Sequence, residues 1–91
     1  MSAAEAIELE INRLIDEDDF YARLDGEAED IEMRLKDGTK KSSLEWEIEA
    51  LMDGVAMLKP KERPRFQAYV ARKYPRTAKT MGWMAAAKIE A

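Results

Sequence analysis

The sequence predicts an all-α protein: a small helical bundle of four to five helices built on an antiparallel helical hairpin, with dimerisation as one route to completing its core. Three observations carry this. Apolar residues recur at three- and four-residue steps along nearly the whole chain, which gathers them into stripes on helices. Helix boundaries are marked by Ser, Asp-Gly and Pro at the places where stripes begin and end. No stretch alternates with period two, and β-branched residues are few, so no strand is expected.

The first helix opens at Ser2, whose hydroxyl and Glu5 three residues later form a capping-box pattern. Its stripe is Ala4, Ile7, Ile11 and Leu14, and Ile7, Ile11 and Leu14 are the candidate self-association face. Asp16-Glu17-Asp18-Asp19 follows, and the apolar phase shifts across it before resuming as Phe20, Leu24, Ala28, Ile31 and Leu35. One continuous helix to Lys36 would be a rod of roughly 50 Å at 1.5 Å per residue, suited to a coiled coil or extended dimer. A break at Asp18 or Asp19 instead gives two helices. The phase shift and the helix-weakening Asp25-Gly26 pair favour the break.

Asp37-Gly38 ends the next helix, glycine taking the left-handed conformation. Thr39-Lys40-Lys41 leads into Ser42–Leu58, the most strongly patterned stretch, with Leu44, Ile48, Leu51, Val55 and Leu58 in one stripe. Ser42 with Glu45 reads as a second capping box, and Lys59-Pro60 closes the helix. Gly54, one turn after Ala50, would admit a close neighbour. Pro64 suits a helix start and Pro75 a stop, which frames a short helix ending at Tyr74. Thr77 is the expected cap of a last helix, Ala78 to about Ile89, along which Ala78, Gly82 and Ala86 would form a smooth face.

The 91 residues suffice for one domain, residues 1–91, with a thin core that invites association. The net charge of −4 conceals a division. Residues 1–58 carry 17 acidic and 6 basic side chains, a net of −11, whereas residues 59–91 carry 9 basic and 2 acidic, a net of +7. Such asymmetry signals a nucleic-acid or acidic partner, or attraction between the two halves themselves.

Catalytic chemistry finds little support. The chain has no histidine and no cysteine, which excludes histidine-dependent triads, thiolate nucleophiles and Cys/His metal sites. Its four glycines are too dispersed for a phosphate-binding loop. The run Asp16–Asp19 fails the EF-hand pattern, since Phe20 and Tyr21 fall at the fifth and sixth positions. No cofactor, metal or catalytic residue is expected. No apolar run is long enough to span a membrane and no signal peptide is evident, so the expected location is the cytoplasm.

What remains concerns binding. Arg63, Arg65, Arg72, Lys73, Arg76 and Lys79, interleaved with Phe66, Tyr69 and Tyr74, form a basic–aromatic segment, and Met81, Trp83 and Met84 follow it. Together these are the candidate partner-binding residues, because arginine, tryptophan and methionine are common anchors. Trp83 reads either as core or as anchor, Trp46 as core. The expected function is a non-catalytic protein–protein interaction module, a small regulator, adaptor or inhibitor docking on a larger protein and self-associating as a homodimer. Short helical chains without catalytic residues are common among phage and mobile-element proteins that bind host machinery. The alternative is a small dimeric DNA-binding regulator using the basic segment 59–79, since clustered cations neutralise phosphates and aromatics stack on bases.

Overall fold

Asp18 decides the architecture of the first third. In the computed structural model, which describes residues 2–86, Asp18 is extended (φ −134°, ψ 115°) between α1 (Ala3–Glu17) and α2 (Asp19–Lys36). Its carboxylate accepts the Phe20 amide at 2.8 Å while its own amide donates to the Leu14 carbonyl, also at 2.8 Å. Four adjacent carboxylates repel one another on a helix, and aspartate prefers to cap, so the chain breaks there. The longest dimension of the molecule, 36 Å, has no room for the alternative rod.

Ser2 caps α1 as expected, its hydroxyl accepting the Glu5 amide at 3.2 Å. At the far end of α2, Gly38 (φ 93°) completes a Schellman motif: Thr39 N–H donates to the Arg34 carbonyl at 2.9 Å and Gly38 N–H to that of Leu35 at 3.1 Å.

Three helix starts differ from expectation. The capping box at Ser42 and Glu45 does not form. Lys41–Leu44 is a turn of 3₁₀ helix, and α3 runs Glu45–Ala56 with no side-chain cap. Leu44, fully buried, pins the chain at that point. Burying a leucine is worth about 2 kcal/mol against about 1 for a serine cap, so burial sets the helix start. Next, α4 is Glu62–Lys73 and starts two residues before Pro64, which still lies among the first four amides that lack an intrahelical partner. Finally, Pro75 begins α5 (Pro75–Met81) instead of merely ending α4, and Thr77 is an interior residue, not a cap.

That last helix ends at Gly82, in the left-handed region at φ 80°, so the continuous face of Ala78, Gly82 and Ala86 does not form. Trp83 N–H donates to the Ala78 carbonyl at 2.8 Å, returning the indole to the core, and residues 84–86 make one 3₁₀ turn. The expected end at Ile89 lies outside the described residues.

The helices pack around α2, which touches α1, α3 and α5, and α4, which touches α1, α3 and α5. The centre is therefore α2 with α4, not the strongly patterned α3. Leu24, Ala28 and Ile31 share one core with Leu51, Val55 and Leu58, and an aromatic row runs from Tyr21 on α2 through Phe66 and Tyr69 on α4 to Tyr74 at its end, at successive ring-centroid distances of 6.3, 5.8 and 6.2 Å. The α2–α3 pair runs in opposite senses: Arg34 meets Glu47 near the connection, and Leu24 meets Gly54 at the far end. A Cβ on Gly54 would overlap Leu24 Cδ2, which accounts for a glycine in mid-helix. Among the described residues, no helix is long and apolar enough to cross a membrane.

Candidate functional site

The charge division is largely closed within the chain. Arg65 on α4 pairs through both guanidinium nitrogens with Glu10 on α1. Arg76 on α5 meets the Glu32 carboxylate at 3.2 Å, and the other Glu32 oxygen accepts the Thr77 amide at 2.9 Å. Thr77 Oγ1 in turn donates to the Ala28 carbonyl at 2.9 Å, so the α2–α5 contact is fully hydrogen-bonded there. Asp25 accepts the hydroxyls of Tyr69 (2.6 Å) and Tyr74 (2.9 Å), and Glu29 accepts Tyr74 at 3.3 Å. Lys73 lies 5.4 and 5.8 Å from the centroids of those two rings. Arg63 donates to the carbonyls of Ala56 (2.7 Å) and Leu58 (2.9 Å), holding the C-terminal end of α3 where a cation is favoured.

This arrangement fixes the tyrosine chemistry. Burial pushes the Tyr69 and Tyr74 hydroxyls far above the ordinary range, and their bonds to Asp25 add to it. Burial does the same to Tyr21, with Glu62 next in effect. Tyr69 and Tyr74, neutral phenols donating to a carboxylate, are structural groups, and the Tyr21 hydroxyl is buried without a hydrogen-bond partner among the described residues. None is poised as a base.

The expected partner-binding residues therefore divide. Phe66, Tyr69, Tyr74, Met81 and Trp83 are core, and none can stack on a base or enter a pocket without leaving it. Arg63, Arg65, Lys73 and Arg76 are engaged inside the chain, Arg72 is exposed and also makes an interaction, and Lys79 and Met84 are exposed. Ile7, Ile11 and Leu14, expected to self-associate, turn inward, with Ile11 buried and the other two packed against the core.

Trp46 reverses the expectation most sharply. It is 87 % exposed, on the side of α3 away from α2, and Met57 is 77 % exposed. A helix advances 100° per residue, so Trp46, Ala50, Asp53 and Met57 share one outer face, roughly opposite the buried Leu51 and Val55. Two open grooves run along this helix. One, of about 370 Å³, is lined by Trp46, Glu49, Ala50 and Asp53; the other, of about 620 Å³, by Lys41, Ser42, Glu45, Ile48, Glu49 and Met52. Glu49 lies between them. Among the described residues, Glu45, Glu49 and Asp53 form no ion pair, in contrast to Glu47, which meets Arg34 at 3.0 Å. The signal was in the sequence: Trp46 and Met57 sit off the Leu44–Leu58 stripe. No family model, curated protein or solved structure matches the chain.

Proposed function

We propose that this chain is a non-catalytic protein–protein interaction module, a small cytoplasmic regulator, adaptor or inhibitor that docks on a larger protein through the outer face of α3. The observation that carries the reading is Trp46, 87 % exposed on a helix whose opposite face is already buried, with exposed Met57 on the same side at the helix's far end. An indole side chain offers about 200 Å² for burial, so leaving it in water forgoes roughly 5 kcal/mol at about 25 cal/mol per Å². Exposed apolar faces of this kind, rimmed by charge, are what binding surfaces present before they are covered. The DNA-binding alternative draws less support, because four of the eight cations of segment 59–79, Arg63, Arg65, Lys73 and Arg76, serve the chain's own carbonyls, carboxylates and rings.

Site-specific crosslinking tests this. A benzophenone amino acid replaces Trp46 in the full chain, and the exposed Glu17 on α1 carries it in a control. The expected result is a protein adduct of discrete mass from position 46, absent from position 17 and lost on Met57→Glu. Adducts identical at both positions, or none from position 46, refute the docking face.

A further inference from the structure

The outer face of α3 specifies the charge and shape of its occupant, and this step rests on the docking reading above. Asp53 is the informative residue. It lies within the exposed seam, with Trp46 and Ala50 on one side of it and Met57 on the other, at spacings of four, three and four residues. Glu45, Glu49 and Asp53 also follow one another at four-residue steps, so the groove that Ala50 floors has a carboxylate edge. All three are exposed and form no ion pair among the described residues; Lys41 lines the neighbouring groove beside Glu45 and Glu49, whereas the groove that Asp53 lines holds no cation.

Several occupants fail on charge. A second copy that met this face with its own would set one carboxylate edge against another and bury an Asp53 from each side without a counter-ion, at a cost of several kcal/mol per desolvated charge. A nucleic acid or an anionic lipid surface would meet the same repulsion. An uncharged apolar helix would cover Trp46 but desolvate Asp53 unpaired. A helix with an apolar seam, a cation within it and further lysines or arginines along one edge satisfies every group. The small Ala50 lets such a helix approach closely, and Trp46 closes one end of the groove.

The geometry points to a basic amphipathic helix of another protein as the ligand of this face, its apolar seam against Trp46, Ala50 and Met57 and a lysine or arginine opposite Asp53. Heptad-spaced pairing of this type uses one polar seam position to select partner and register.

The test uses the full chain and two synthetic helical peptides with the same leucine seam. One carries lysine at the seam and edge positions, the other glutamate, and calorimetry reads both affinities. The lysine peptide is expected to bind at least about tenfold more tightly than the glutamate peptide, a difference of about 1.4 kcal/mol. Asp53→Lys should remove most of that preference, whereas Asp16→Lys, the same charge change in the exposed α1–α2 junction, should leave it in place. Equal binding of the two peptides overturns the proposal, as does an equal response to Asp53→Lys and Asp16→Lys, which would show attraction to bulk charge alone. Failure here with a discrete crosslink at position 46 removes only the partner's chemistry. Absence of the crosslink removes the docking face itself.

Discussion

Raising the pH through 10 should unfold this protein cooperatively, and tyrosine ionisation should be the cause. All three tyrosines of the chain, Tyr21, Tyr69 and Tyr74, are at least 95 % buried, and each hydroxyl is held far above its ordinary value of about 10. Burial is the largest cause in every case, followed by a carboxylate neighbour: Asp25 for Tyr69 and Tyr74, Glu62 for Tyr21. Below pH 10 both folded and unfolded chains hold these protons, and stability does not depend on them. Above it the unfolded chain releases three protons that the folded chain retains, so stability falls as pH rises. Each tyrosine contributes a slope of about 1.4 kcal/mol per pH unit, and three give about 4. A domain of this size has about 5–14 kcal/mol of stability, so the fold should be lost between roughly pH 11 and 13. Phenolate absorbance and far-ultraviolet circular dichroism, followed on the same samples, check this. The two signals should change together in one steep transition. Gradual phenolate formation near pH 10 with the helices intact would refute the buried arrangement around Asp25.

Four further outcomes follow from the packing. Gly54→Ala should lower stability by about 1–2 kcal/mol in urea titration, because overlap with fully buried Leu24 outweighs the roughly 1 kcal/mol helix-propensity gain. Asp25→Asn should cost about 1–3 kcal/mol at neutral pH by weakening the acceptor of two buried hydroxyls, an effect absent in the Tyr69→Phe, Tyr74→Phe background. Glu32→Ala should cost about 2–4 kcal/mol, since the Thr77 amide and Arg76 both lose their acceptor, whereas Arg65→Ala, breaking a half-exposed pair, should cost under about 1. Trp46→Ala should change the melting midpoint negligibly and Trp83→Ala should lower stability by about 3 kcal/mol or more, the reverse of what equal core roles would give.

The legible parts of this fold were those in which a local preference and a tertiary demand coincide. Asp18 is a good cap and also stands where the apolar phase shifts; Gly38 ends a stripe and tolerates a left-handed turn; Gly54 interrupts a good helix because Leu24 needs the space. Where the two compete, the sequence misled. Ser42 offers a cap, but burial of Leu44 starts the helix three residues later. Thr77 looks like a cap and is held instead by Glu32 and Ala28, partners 45 and 49 residues away, which no local pattern reports. For α3 the difficulty is of another kind. The helix carries apolar residues on two sides, Leu44, Leu51, Val55 and Leu58 on one and Trp46, Ala50 and Met57 on the other, and periodicity does not say which side has a neighbour. The larger aromatic suggested core. Packing by α2 and α4 chose the leucine side.

That choice also explains what the charge division accomplishes. The cations after Lys59 meet carboxylates of α1 and α2 at Glu10, Asp25 and Glu32, either directly or through the Tyr69 hydroxyl, and so join the third nearest the C-terminus to the first. Arg63 reaches α3 only through backbone carbonyls, which leaves the carboxylates of its outer face untouched. Like the exposed Glu5, Asp16 and Asp19, Glu45, Glu49 and Asp53 form no ion pair among the described residues, and it is the setting of the three on α3 that differs. The uncompensated acid coincides with the one large aromatic left in solvent. Apolar surface left in water is stabilisation not gained, and clustered like charges repel one another, so the two together on a single helix leave two penalties that folding does not relieve. Both penalties vanish in a complex whose partner brings cations and an apolar seam, and that shared remedy is the physical argument for treating the outer face of α3 as a docking surface.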